Sequence, residues 1–270
     1  FQFEATDAEI AEWRGRLARP DEKIVMYVGR FVREKGIHVL LNAASVVLAE
    51  EPNTKFVIVG GGDRTNLERF VRWYGLQDKV LFTGFMANRS LHQLYRVADV
   101  AVFPSLYEPF GIVALEGMAA GCAVVASDAG GLKEVVLHDV NGTSTYAGDA
   151  GSLAWGILRV IRDPARAQRL KENADKRLQT DFHWRNLAEQ THKVYDRVWR
   201  EFLESPWAER TLWPIHPNAD EMAARLRVKE KAKTGAFVPN PAPIVPAPEV
   251  KLDPDAALAA GKPEALEEES

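Results

Sequence analysis

Five short apolar runs recur between Lys23 and Asp128: KIVMYVG at 23–29, KFVIVG at 55–60, KVLFTG at 79–84, VAVFPS at 100–105 and AVVASD at 123–128. They are rich in β-branched residues and barely alternate with polar ones, the pattern of strands covered on both faces in a parallel sheet. Helix-length segments separate them. The first sets Ile37, Leu40, Leu41, Ala44, Val47 and Leu48 on one helical face. Strict alternation of strand and helix predicts an α/β fold, a doubly wound parallel sheet with right-handed crossovers. A last long helical pattern, HWRNLAEQTHKVYDRVWREFL, places Trp184, Leu187, Thr191, Tyr195, Val198 and Phe202 on one stripe. Ligands of such sheets bind beyond the carboxyl ends of the strands. The loops after Gly29, Gly60, Gly84, Ser105 and Asp128 are therefore where chemistry is expected.

Periodicity fades after the long helix, and ten of the fifteen prolines fall between Pro206 and Pro263. Residues 23–204 are expected to form the folded domain. Residues 205–234 read as a short helical extension, with one charged helix around Ala219–Lys233. Residues 235–270 read as a proline-rich, acidic disordered tail, too poor in apolar surface to offset its ordering entropy. The formal net charge of -4 and the absence of a dense Lys/Arg block argue against nucleic acid as a partner. One cysteine, Cys122, excludes an intramolecular disulfide and a cysteine-based zinc site, and it is expected to be packing at the start of a buried strand. No apolar run reaches the roughly 20 residues of a membrane-spanning helix. The opening FQFEATDAEIAEWRG lacks a basic region followed by an apolar stretch, so it is not expected to be a signal peptide and reads as a piece of something longer. These features together suit a cytoplasmic setting.

Three local patterns carry candidate chemistry. In Glu108-Pro-Phe-Gly-Ile-Val-Ala-Leu-Glu116 the first carboxylate follows a strand, and the second falls about four residues, a rise of about 6 Å, into the next helix. The pair brackets a helix N-terminus, where free N–H groups make an anion site, and Gly111 at its mouth allows close approach. The plainer alternative is a loop acid and a first-turn helix acid favoured by the dipole, and spacing alone does not decide between them. In Gly29-Arg30-Phe31-Val32-Arg33-Glu34-Lys35-Gly36, Arg30 and Lys35 flank a strand-to-helix loop, cations of the kind a leaving diphosphate requires. A solvated charged loop is the alternative. Neither a P-loop nor the dinucleotide glycine fingerprint is present. The runs Gly60-Gly61-Gly62 and Gly130-Gly131 suit tight turns first and ligand approach second. The six histidines show no metal-ligand spacing, and Asp253-Pro-Asp255 lies in the proline-rich region without a preceding strand.

In this order, GRFVREKG, FVIVGGG, VLFTGF, FPSLYEPFGIVALEGMAAGCAVVAS and GGLKEVV resemble the C-terminal, donor-binding domain of GT-B retaining glycosyltransferases, a Rossmann-like half of a two-domain fold. The resemblance covers about residues 1–203, and EPFGIVALE is its most diagnostic part. It implies that residues 1–22 are an inter-domain linker remnant and that Arg30 and Lys35 hold the diphosphate of a nucleotide sugar. Glu108 would bond the transferred sugar's hydroxyls. Backbone N–H groups from Phe110 through Gly111 and Ile112 to Val113 would contact sugar and phosphate, with Gly61 near the donor. Glu116 would accept from the ribose, and the base would lie near Phe85 and Met86. The family implies no cofactor and no catalytic metal, and a front-face transfer that retains configuration. EPFG with GGLKEVV is nearer to the glycogen and starch synthase-like group, which implies ADP-glucose or UDP-glucose as donor and an α-1,4-glucan as acceptor. An acceptor-binding N-terminal domain is expected to be missing and supplied in cis or in trans. The alternatives are a non-catalytic nucleotide-sugar-binding or regulatory module, another hexosyl- or mannosyltransferase acting on a lipid or polysaccharide, and a sugar-nucleotide epimerase.

Overall fold

The computed structural model describes residues 5–86 and 88–205. The expected helix near 219–233, the proline-rich tail and the Asp253–Asp255 string lie outside the described residues. Among those described, six strands form one sheet: β1 (Lys23–Val28), β2 (Thr54–Val59), β3 (Val80–Gly84), β4 (Val100–Phe103), β5 (Ala123–Ser127) and β6 (Thr143–Thr145). Their order is β3-β2-β1-β4-β5-β6 and every neighbouring pair is parallel. This is the Rossmann-like arrangement expected from the alternating pattern. The helices are α1 (Asp7–Leu17), α2 (Ile37–Glu50), α3 (Thr65–Trp73), α4 (Asn88–Val97), α5 (Ile112–Ala119), α6 (Leu132–Val135), α7 (Ala150–Ile161), α8 (Pro164–Thr180) and α9 (Trp184–Glu204). Residues up to Asp196 belong to one unit, and the end of α9 from Arg197 belongs to a second.

The unbroken apolar runs follow from burial on both faces. Val25, Tyr27, Phe56, Ile58, Val100, Val102, Ala123 and Val125 pack into one core layer with α2 and α7. Their strand neighbours Ile24, Met26, Val57, Val59, Ala101, Phe103, Val124 and Ala126 pack into the other, with α4, α5 and α8. Successive side chains of one strand thus feed opposite layers. Strand β6 has no such run. Its Thr-Ser-Thr sequence is hidden from an apolarity reading, yet Thr143 and Thr145 are buried. Gly156 lets α7 lie close over it: a Cβ there would stand 2.7 Å from Cγ2 of Thr145. The stripe expected on the last helix forms as α9, but none of its residues is buried, and Trp184 and Tyr195 are 83% and 69% exposed.

Helix α1, in the segment read as a linker, opens with a capping box between Thr6 and Glu9. It docks on α4 through Trp13 Nε1, which donates to Gln93 Oε1 at 2.9 Å, and through Gln93 Nε2, which donates to Glu9 at 2.9 Å. Arg14 binds the Val97 and Glu22 carbonyls and the Asp99 carboxylate. Next to it Glu22, 4% exposed, accepts from Lys79 Nζ at 2.6 Å and from the Arg19 backbone N–H at 2.9 Å. Burial pushes this carboxyl up, but the Lys79 hydrogen bond, the Arg19 N–H and the two positive charges outweigh it and hold the group below its ordinary value. A lowered folded value gives stability that is present above the unfolded value and lost as pH falls through the folded one. Glu22→Gln is therefore expected to lower the unfolding free energy at neutral pH by about 1–3 kcal/mol. Urea titrations from pH 7 to pH 3 should then show a shallower acid loss in the variant than in the wild type. Parallel curves would contradict this.

Candidate functional site

Strands β1 and β4 are neighbours at the point where the strand order reverses, so the loops after them bound the crevice of the sheet. After β1 the chain makes one 3-10 turn, Arg33–Lys35, and Gly36 at φ +66° both ends that turn and caps α2. A side chain at 36 would overlap the carbonyl oxygen of Pro104 in the loop after β4. The Glu34 carbonyl accepts from the backbone N–H groups of Leu106 and Tyr107 at 2.8 and 3.2 Å. The two loops are thus stitched backbone to backbone. Below them Tyr27, fully buried, donates its hydroxyl to the Arg30 carbonyl at 3.1 Å. Burial, with the nearby Glu108 charge, pushes this phenol far above its ordinary value, so it remains a donor.

At the centre Lys35 Nζ stands 2.6 Å from Glu108 Oε2, and Glu108 is only 8% exposed. Ser105 Oγ donates to the same oxygen at 3.4 Å, and Ser127 Oγ at the end of β5 donates to the Ser105 carbonyl at 2.5 Å. From the loop after β5, Gly131 N–H donates to the Glu108 carbonyl at 2.8 Å. Gly130, at φ +52°, has no room for a Cβ against that same carbonyl. Three loops from three adjacent strands therefore fix Glu108. Three residues on, Gly111 (φ +99°) caps α5 without any side-chain hydrogen bond. The N–H groups of Ile112 and Val113 have no intrahelical acceptor. Phe110 and Ile112 are about half exposed. A bare helix N-terminus next to a lysine favours an anion, a diphosphate in particular.

Glu116 sits one turn into α5 and is half-buried, with Tyr95 Oη of α4 3.5 Å from its Oε2. Burial raises this carboxyl above its ordinary value, and His92 and the Tyr95 hydroxyl, both from α4, pull the other way. The structure joins Lys35, which the resemblance assigns to the diphosphate, with Glu108, which it assigns to the sugar, at the α5 mouth. Among the described residues, no hydrogen bond or ion pair ties the other candidates to this cluster. Arg30 is exposed. The Gly61 carbonyl accepts from Phe31 N–H at 2.8 Å. Phe85 is 84% exposed beyond β3, while Met86 packs on the core below. Ser105, Ser127, Tyr27, His92 and Tyr95 are not among the candidate residues of the sequence, although the loop after Ser105 is one of the expected places. Cys122 is buried, donates to the Tyr95 carbonyl at 2.9 Å and has its thiol pushed up to about 12 by burial, in keeping with a packing role.

Among the described residues no group of three or more His, Cys, Asp or Glu stands together as a metal site, and no helix is long and apolar enough to cross a membrane. A cleft of about 620 Å³ near the ends of β5 and β6 is lined by Asp128, His138, Tyr146, Asp149 and Trp155 among others. It contains neither Glu108 nor Lys35 and presents no lysine or arginine to an anion, so the crevice rather than this cleft is the candidate site.

Fold and crevice together define a Rossmann-like domain of the GT-B type. The chain belongs to the family of glycosyl transferases group 1, whose family model matches residues 9–177. It is 46% identical over 176 residues to an uncharacterized glycosyltransferase of Methanocaldococcus jannaschii, covering 65% of this chain and 45% of that protein. It is 37% identical over 190 residues to a glycogen synthase of Mycobacterium tuberculosis, covering 69% of this chain and 46% of that one. Among solved structures, the HepE protein of Anabaena, in complex with UDP and glucose, superposes with a TM-score of 0.66 at 28% identity, over 72% of this chain and 54% of its own. The chain thus spans about half the length of the relatives it matches.

The ion pair gives a direct expectation. Lys35→Met leaves the Glu108 carboxylate buried without its partner and should cost about 2–4 kcal/mol of stability. In the double variant Lys35→Met/Glu108→Gln most of that loss should return. Chemical denaturation of the three proteins checks this, and equal instability of the single and double variants would contradict it.

Proposed function

We propose that this chain is the C-terminal, donor-binding half of a retaining hexosyltransferase that uses a nucleotide diphosphate sugar. The observation that carries the reading is the Lys35–Glu108 pair held at the uncapped mouth of α5. Lys35 has three donors, so it can keep Glu108 while also meeting a phosphate oxygen. Arg30, exposed on the same loop, adds a second cation for the diphosphate. The N–H groups of Phe110, Ile112 and Val113, with Gly111 between them, face the sugar and phosphates. Glu116 takes the ribose, Phe85 and Met86 border the base, and Gly61 lines the approach. Glu108 bonds the hexose hydroxyls.

In this arrangement the leaving diphosphate gains negative charge as the glycosidic bond breaks, and Lys35, Arg30 and the helix mouth stabilise it where it forms. Glu108 orients the sugar and lies close to the developing oxocarbenium charge. The chain's contribution is thus alignment and electrostatics rather than an obligatory nucleophile, as a front-face, retaining transfer requires. No metal is assigned to this chemistry, since two cations and a helix N-terminus supply the positive charge. The likeness to a glycogen synthase, together with EPFG and GGLKEVV, supports glucose from ADP-glucose or UDP-glucose and an α-1,4-glucan acceptor. The acceptor-binding half belongs to a further domain or partner chain, in line with the half-length match to relatives.

Two measurements test this. In calorimetry with UDP-glucose, ADP-glucose and GDP-mannose, Lys35→Ala or Arg30→Ala should weaken binding by about 1–3 kcal/mol, and EDTA should leave binding unchanged. Unaltered affinity in both variants would remove the diphosphate from this loop. With the acceptor half present, Glu108→Gln should lower kcat far more than nucleotide-sugar affinity, because its effect is on the transition state. Glu116→Gln should weaken both the sugar nucleotide and the free nucleoside diphosphate. A purely structural role would instead lower Tm in both and touch neither ligand.

A further inference from the structure

Tyr95 is a buried titratable side chain that the reading above leaves without a role. It is fully buried on α4, in the core layer that also holds Leu94, Leu115 and Met118. Its main chain is held from one side, where the Cys122 thiol donates to its carbonyl at 2.9 Å. Its hydroxyl points to α5 and meets Glu116 Oε2 at 3.5 Å, the far limit of a hydrogen bond. Helix α4 begins just past Phe85 and Met86, so one element links the proposed base end of the site to the proposed ribose contact.

We infer that Tyr95 is the positioning residue for Glu116, presenting one carboxylate oxygen to the ribose hydroxyls by occupying the other. The inference rests on the donor reading given above. Glu116 has two oxygens and a half-buried environment, so its rotamer decides whether an acceptor faces the crevice or the core. A donor fixed to the core wall and bonded to Oε2 leaves Oε1 to serve the ribose. The hydroxyl stays protonated, because burial and the Glu116 charge both raise its phenol well above the ordinary value. It therefore serves as a donor to Glu116 across the working pH range. It also favours the charged carboxylate, which burial disfavours, and His92 on the same helix acts in the same sense. The ligand class that reads this device is a nucleoside diphosphate with free ribose hydroxyls. A diphosphate alone does not reach it.

Tyr95→Phe keeps the ring that fills the core and deletes only the hydroxyl. UDP and ADP affinity, measured by calorimetry on the full chain, is expected to fall about five- to tenfold, because Glu116 without its anchor spends most of its time in rotamers that turn no oxygen to the ribose. Inorganic pyrophosphate and 2′,3′-dideoxyuridine diphosphate should bind the variant and the wild type alike. The acid-side midpoint of UDP affinity should move to higher pH, since the charged Glu116 has lost a stabilising donor. His92→Gln, a half-buried position, should move that midpoint in the same direction and serves as a second reading should Tyr95→Phe fold poorly. Tyr95→Phe/Glu116→Gln should bind UDP no worse than Glu116→Gln. If Glu116→Gln itself leaves UDP affinity intact, the placement of the ribose fails and this inference with it. If Glu116→Gln weakens UDP while Tyr95→Phe changes neither affinity nor midpoint, the positioning role alone is overturned. An equal loss for pyrophosphate in Tyr95→Phe would likewise overturn it, as the mark of a merely structural effect.

Discussion

The contact between Lys35 and Glu108 is the constraint around which the crevice is arranged. An acid this buried cannot remain charged cheaply without a cation, and the lysine can reach it only if the loops after β1 and β4 are locked together. That lock is made of backbone: the Glu34 carbonyl takes two N–H groups from the β4 loop, and Gly36 lies flush against Pro104. The loop after β5 closes the third side through Gly131 and the Glu108 carbonyl. The sheet order makes this possible, because β1, β4 and β5 are consecutive neighbours whose ends share one edge of the crevice. Charge, loop shape and strand order are therefore one problem with one solution.

Much of the fold could be read from residues because both faces of the sheet are covered. Val25 and Tyr27 need one apolar layer while Ile24 and Met26 need another, and this makes each run continuous and visible. What burial does not write as apolarity stayed hidden. Thr143 and Thr145 hide their methyl groups beneath α7 but count as polar, so β6 went unseen. The stripe on α9 shows the converse: periodicity specifies a helix face without specifying what covers it. In the site, Glu108, Glu116 and Lys35 were legible because charged residues after strands invite a question. Ser105, Ser127 and Tyr95 were not, because their importance lies in where one hydroxyl points, and that is fixed by packing between segments distant in sequence.

The two acids of EPFGIVALE live in different surroundings despite sharing one short motif. Glu108 is nearly enclosed but has an ammonium and a hydroxyl at one oxygen. Glu116 is more open, yet faces a phenol and an imidazole from α4 and has its carboxyl raised by burial. One helix thus separates a carboxylate paired with an ammonium from one that meets a neutral phenol. A ligand lying along α5 meets a tight electrostatic centre at its mouth and a softer, hydrogen-bonding wall one turn further on.

The glycines of this crevice also determine which damage could be repaired by a second change. At Gly36 and Gly130 the obstruction to any side chain is a main-chain carbonyl, that of Pro104 in one case and of Glu108 in the other. No substitution at a neighbouring position removes a carbonyl, so a lesion there has no suppressor. At Gly156 the obstruction is made of methyl groups, Cγ2 of Thr145 and Cγ1 of Val125. A smaller residue at 145 would remove the nearest of them, and one at 125 the next. Lineages could then drift through paired changes where α7 packs on the sheet, while the rim around Glu108 admits no such detour.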